Sequence, residues 1–340
     1  MLTTCIFLAI LLPIYLVGIS RKSDTSFFFT KDYTTTLKGA CALIVILVHI
    51  PLLYSNKLQD AVGSFAYVAV TIFFMISAYG MEYSYDNKKN YLKHFWQNRI
   101  ISLLTPIVII NIIAFSAISC VQKTLVWRFL YDVNDYIICL LEYCLFFYII
   151  KKLGKRFSWS THLVDLLLIA SVFLISFASY LTNIIEIPFF RWCYERFGLI
   201  WGLLLYRYKD QFLAWASKHT LVKVIIPLAI SLVLGIGYLK FKFVWFWGEY
   251  LLKIILGVAI ISFFLISTSR ISFGNKLSRW LGDISYEVYL SHLFVIALLE
   301  IALPSLNSNQ FIAYTIIGTI IVSALAHALV KRIVRKLRYT

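Results

Sequence analysis

Apolar windows long enough to cross a bilayer recur along this chain, and that recurrence restricts its fold more than any other feature. A hydrocarbon core about 30 Å thick takes roughly 20 apolar residues in helical form. Windows of this kind stand at about residues 2–19, 36–54, 62–82, 100–120, 134–151, 162–181, 189–206, 222–240, 244–267, 284–303 and 309–331. In lipid a segment must satisfy its own backbone N–H and C=O groups, so each window is expected to be a helix. Composition agrees. Of the 340 residues 61% are hydrophobic and only 14% charged, where soluble domains are nearer half apolar and a quarter charged. The expected fold class is all-α: a polytopic transmembrane helical bundle of about 11 spans.

A net charge of +16 suggests a nucleic-acid partner, but the placement of the charges argues against one. Basic residues fall in short groups between the apolar windows, and no nucleic-acid-binding motif accompanies them. Alternate loops hold twenty-four Lys and Arg on one side and seven on the other, with Lys253 inside a window. The positive-inside rule then puts the N-terminus outside and the C-terminus inside. Residues 2–19 lack a basic start and a small-residue cleavage site, and Arg21 and Lys22 follow the apolar run. That pattern predicts an uncleaved first helix. The six cysteines form no C-x-x-C pair and read as small core residues, so no disulfide framework and no metal are expected. Phe243, Trp245, Phe246 and Trp247 read as an interfacial aromatic belt.

Within this apolar background a few polar groups stand out. Residues Leu37 to Pro51 read L-K-G-A-C-A-L-I-V-I-L-V-H-I-P. Lys38 and His49 are eleven residues apart, which on a continuous helix is one face and about 16 Å of axial rise. Lys38 is expected at the cytoplasmic rim and His49 about half-way across. An ionisable group at that depth is a functional candidate, and a neutral imidazole suits a general base acting on a hydroxyl. The structural alternative is a histidine bonded to a neighbouring helix. Ser77 lies among small residues and reads first as a packing position. Arg99 precedes the fourth window and reads as a rim anchor or a phosphate ligand. In L-G-D-I-S-Y-E-V-Y-L-S-H, Ser285, Tyr289 and His292 share one helical stripe with the later Glu300, and in lipid such a stripe must face the bundle interior.

Three separated blocks resemble the acyltransferase 3 family of multi-span bacterial membrane acyltransferases. They are the basic residue and histidine at Lys38 and His49, then F-F-x-x-S at Phe73, Phe74 and Ser77 with the Arg99 block ending at Pro106. The third is L-G-x-I-S-Y-x-x-Y-L-x-H from Leu281 to His292. The resemblance implies a ten-helix acyltransferase domain over 31–340, preceded by an additional helix and loop at 1–30, in a bacterial inner membrane. It implies transfer of an acyl group, usually acetyl from cytoplasmic acetyl-CoA, to a hydroxyl of an extracytoplasmic or lipid-linked glycan. By that resemblance His49 is the catalytic residue, and Lys38 and Arg99 serve the acyl donor. Ser77, Ser285, Tyr289 and His292 form a supporting polar face, with Tyr289 or Ser285 as oxyanion donor. The family more often has arginine where Lys38 stands, and a further basic residue where Ser102 stands, which bears on donor affinity. Oligomeric state is left open, with a homo-oligomer among the partners considered. A competing reading is a transporter or flippase whose path is lined by His49, Glu82, Glu142, Asp165, His292 and Glu300. It would be expected to show internal repeats and broken spans, and the sequence has neither. Arg191, Trp192, Glu195 and Arg196 read as acceptor contacts or as an interfacial salt-bridge cluster.

Overall fold

The structure is a computed structural model that describes residues 2–184, 192–216, 218 and 220–339. Every apolar window is occupied by a helix. In chain order these are α1 (Leu2–Leu16), α2 (Lys31–Val48), a short α3 (Lys57–Gly63), α4 (Tyr67–Asn87), α5 (Phe95–Gln122), α6 (Asp135–Arg156) and α7 (Thr161–Ile184). There follow α8 (Phe197–Ala216), α9 (Thr220–Phe241), α10 (Leu252–Ser267), a short α11 (Lys276–Asp283), α12 (Ser285–Ala302) and α13 (Ser308–Tyr339). Among the described residues eight helical segments are long and apolar enough to cross a membrane. Those eight leave out α1, which has 15 residues, and α2 and α8, which carry Lys31, Asp32 and Lys38, and Arg207, Lys209 and Asp210. The first residues expected of the seventh window, 189–191, lie outside the described residues. Sheet among the described residues is confined to two-residue strands β1 (Ser20–Arg21) and β2 (Ile271–Ser272), paired antiparallel.

The second window departs from expectation in a way that decides the site. A helix continuous through Pro51 was expected, but α2 ends at Val48. Proline has no N–H to continue the ladder and disfavours helical backbone at the residue before it. His49 is therefore the C-cap of α2, at φ −95° and ψ 0°, and its backbone N–H donates to Ile46 O. At the other end Thr30 caps α2 by accepting from Tyr33 N, with Asp32 in the first turn, where a negative charge suits the helix dipole. After Pro51 the chain turns through Leu52–Tyr54 into α3.

Two close helix approaches hold helices of the bundle together. Gly198 and Gly202 bring α8 against α4: a methyl group on them would lie 2.0 Å from Thr71 O and 2.2 Å from Met75 O. Gly282 in α11 brings the third sequence block against α2, where a Cβ would meet Thr35 O at 1.8 Å, and Gly39 faces it from α2. Small residues at helix crossings let backbones approach where lipid supplies no hydrophobic drive. The N-terminal helix is tied in by side-chain bonds from Asn275 Nδ2 to Ile14 O (2.8 Å) and from Asn56 Nδ2 to Thr4 Oγ1 (2.9 Å).

These crossings predict an ordered pair of outcomes. Gly282→Ala and Gly202→Ala should each destabilise the detergent-solubilised protein by about 1–3 kcal/mol. Gly80→Ala, where the added methyl meets open space, should leave the thermal midpoint unchanged or slightly raised.

Candidate active site

The end of α2 leaves carbonyls without intrahelical partners, as every helix end does. Three of them are satisfied in three ways. Ile46 O accepts from the His49 backbone N–H at 3.2 Å. Val45 O lies 2.9 Å from the His49 ring Nδ1. Leu47 O accepts from Gln59 Nε2 at 2.8 Å. Gln59 is buried and is placed by Asn56, which caps α3 by accepting from Gln59 N. The histidine is thus both the cap of its helix and a side chain brought inside the bundle.

A second histidine meets it there. His292 Nε2 lies 3.3 Å from His49 Nδ1, with the ring centroids 4.8 Å apart and inclined by 58°. His292 is 1% exposed, and its Nδ1 lies 3.3 Å from Val288 O. The stripe expected on α12 is present for its first three members: Ser285, Tyr289 and His292 are buried. Glu300 does not join them, since it is exposed near the far end of the helix.

Three cavities are arranged about this pair. The largest, about 1120 Å³, is lined by His49 itself together with Gln59, Tyr67, Trp192, Glu195 and Lys253. Glu195 is 4% exposed, and its Oε2 has no hydrogen-bond partner among the described residues. The second, about 160 Å³, is lined by Lys38, Arg99, Ser77, Ser285, Tyr136 and Tyr289. It therefore gathers five of the residues singled out in the sequence, all except the histidines. The third, about 800 Å³, is rich in bases and rings: Lys88, Lys93, Lys152, Lys155, Tyr148 and Trp159. Arg99 joins the second to the third, because it lines the small cavity and donates from Nη2 to Tyr91 Oη (3.3 Å), a residue of the basic one.

The sequence reading expected one passage from Lys38 and Arg99 to His49. The small and large cavities instead share no lining residue. The rings of Phe73, Tyr136 and Tyr289, whose centroids lie 5.1–6.3 Å apart, pack together in the wall of the small cavity. Tyr289 also packs on His292 at 5.8 Å and bonds Asn134 Oδ1 at 3.1 Å. Ser77 Oγ donates back to Phe73 O at 2.8 Å, so its packing role and its place in the cavity wall coexist.

The remaining buried charges pair with one another. Glu82 accepts from Lys151 Nζ and Arg207 Nη2, each at 2.8 Å, and Arg207 Nε donates to Asp165 at 2.8 Å. Glu142 accepts from Arg196 at 2.5 Å. Three carboxylates of the transporter path are thus held in ion pairs between helices. Around the large cavity the two readings divide: Trp192 and Glu195 line it, while Arg196 is a salt-bridge residue. Arg191 lies outside the described residues. Sequence reasoning did not single out Gln59, Tyr91, Asn134 or Lys253. The only signal for Gln59 was a polar residue four positions after Ser55 in a short polar run, which does not by itself announce a carbonyl partner.

Fold and site define a polytopic helical membrane protein with a buried histidine pair, one member of which lines a large cavity, and a small cavity lined by Lys38 and Arg99 nearby. A family model described as an acyltransferase domain matches residues 32–329, and the chain belongs to this family, acyltransferase 3. It is therefore an integral membrane enzyme that transfers acyl groups. No curated protein and no solved structure gives a significant match.

The ion-pair network makes its own prediction. Arg207→Leu strips Glu82, which is fully buried, of one of its two cations. Breaking one partner of such a pair costs about 3–5 kcal/mol, so the variant should show a markedly lower thermal midpoint or fail to accumulate.

Proposed function

We propose that this chain moves an acyl group, most simply acetyl, from cytoplasmic acyl-CoA to a hydroxyl of an extracytoplasmic or lipid-linked glycan, in a bacterial inner membrane. The observation that carries the reading is the order of the chambers. A basic, aromatic one is joined by the Arg99–Tyr91 hydrogen bond to a narrow one, whose Tyr289 packs on His292, and His49, bonded to His292, lines a large cavity. Coenzyme A has the matching order of parts: a phosphorylated nucleotide, a thin arm and a terminal thioester. Lysines and ring faces such as Lys93, Lys152 and Trp159 suit phosphates and a stacked base. Arg99 and Lys38 flank the narrow chamber that would take the arm. The large cavity offers ring faces and carboxylates to the hydroxyls of a sugar.

In the reaction His49 Nε2 takes the proton of the acceptor hydroxyl as its oxygen attacks the thioester carbonyl. The tetrahedral intermediate collapses by breaking the C–S bond, and the imidazolium returns the proton to the departing thiolate. The products are an ester on the acceptor and free CoA. For the thioester to arrive, the packed rings of Phe73, Tyr136 and Tyr289 would have to part, since Tyr289 stands in the wall of the narrow chamber and against His292.

The test uses membranes that contain the protein and its native glycans, given acetyl-CoA, with free CoA thiol as readout. His49→Ala is expected to lower acceptor-dependent release about 10²–10⁴-fold at normal protein levels, and full turnover in that variant would remove the proposal. Lys93→Ala and Arg99→Ala should raise KM for acetyl-CoA, each weakening a charge-assisted contact worth about 1.5–3 kcal/mol. Their effect on acceptor KM should be small. An unchanged donor KM in both would sink the placement of the nucleotide.

A further inference from the structure

The ring contacts of the two histidines carry information about where their protons sit. A backbone carbonyl can only accept a hydrogen bond. His49 Nδ1 faces Val45 O at 2.9 Å and so holds the proton of the neutral ring. His292 Nδ1 faces Val288 O at 3.3 Å and holds its proton likewise. Each ring then has its lone pair on Nε2. The lone pair of His292 is directed at His49, with Nε2 3.3 Å from the protonated Nδ1. His49 Nδ1–H is shared between two acceptors, and its own Nε2 is the nitrogen left for a substrate in the large cavity.

We infer that His292 is the positioning residue for His49, holding it in the tautomer whose free Nε2 can act as base and accepting part of the charge when that nitrogen is protonated. This rests on the acyl-transfer reading of the same site. His292 does not act by touching substrate: it is 1% exposed and lines neither the large nor the small cavity. It takes the place that a carboxylate holds behind the histidine of a hydrolase triad, with a neutral acceptor in place of a charged one. A neutral partner suits this location, since a second buried carboxylate without a cation would be costly to desolvate. The wrong tautomer of His49, with its proton on Nε2, would present a donor to the hydroxyl and could not take its proton. The stripe Ser285, Tyr289 and His292 on α12 therefore serves two ends: the first two line the donor-side chamber, and the third orients the base.

The test compares two kinds of replacement. His292→Gln keeps an acceptor oxygen near the position of Nε2, whereas His292→Leu and His292→Met keep bulk without an acceptor. Expected is a loss of about 100-fold in kcat for the apolar variants, as for general-base effects of moderate size, with KM for acetyl-CoA unchanged. The glutamine variant should recover to within about tenfold of wild type. Equal losses in all three, or a full kcat in the apolar ones, would overturn the inference. Whatever the variants' folding, solid-state ¹⁵N spectra of histidine-labelled wild-type protein report the tautomer directly. A His49 protonated on Nε2 and bare on Nδ1 would overturn it as well. His49→Ala is run alongside: activity in that variant defeats the acyl-transfer reading itself, while its inactivity beside fully active His292 variants defeats only the role given to His292.

Discussion

A helix that stops inside the bundle leaves carbonyls which lipid and apolar side chains cannot satisfy. At the end of α2 that requirement is met by the His49 backbone, the His49 ring and the amide of Gln59. Much of the candidate site follows from this arrangement. Because the His49 ring answers to Val45 O, it is fixed at the helix end and turned toward α12 and the large cavity. Because Gln59 answers to Leu47 O, α3 is held against the same end and forms part of that cavity's wall. The termination before Pro51 is thus a structural event with chemical consequences: a helix that stops at Val48, and an imidazole placed where a cavity and a second histidine can reach it.

The approach of α12 to α2 is the second condition. Gly282 stands one short helix before Ser285, and it lies against the backbone of Thr35 with no space for a side chain. That contact sets the starting position of α12, so that Ser285 and Tyr289 come to the chamber of Lys38 and His292 comes to His49. Glycine here acts through proximity, and the registration of two sequence blocks 243 residues apart depends on it.

Polar groups in this bundle fall into two populations with different physics. Glu82, Lys151, Arg207 and Asp165 form a set of ion pairs linking α4, α6, α7 and α8, and Asp86 of α4 joins it through Arg207. Buried charges of this kind are tolerable when mutually compensated and add specificity to helix placement. By contrast His49, Glu195, Arg99 and Lys38 line cavities and keep capacity for other partners. The first population holds helices together and contributes Lys151 and Arg207 to the wall of the basic cavity; the second lines the small and large cavities.

Runs of apolar residues were enough to read the helices, since a bilayer-length apolar window admits few other structures; on α12 Ser285, Tyr289 and His292 of the expected stripe are buried, while Glu300 is exposed. Lys38, His49, Ser77, Arg99, Ser285, Tyr289 and His292 were also visible, because ionisable or aligned polar groups are conspicuous in an apolar chain. Three things were not. The contact of His49 with His292 joins distant segments, and only packing brings them within 3.3 Å. The replacement of one expected passage by cavities that share no lining residue depends on how side chains pack between helices, which no linear pattern encodes. The fate of Glu82, Glu142 and Asp165 turned on which cation each met. What the sequence by itself determined is the class of fold, the family and the candidate polar side chains, because burial in lipid constrains residue type locally. Which of those side chains touch, which are neutralised and where space remains was decided by the tertiary structure, because those are relations between helices rather than properties of any one of them.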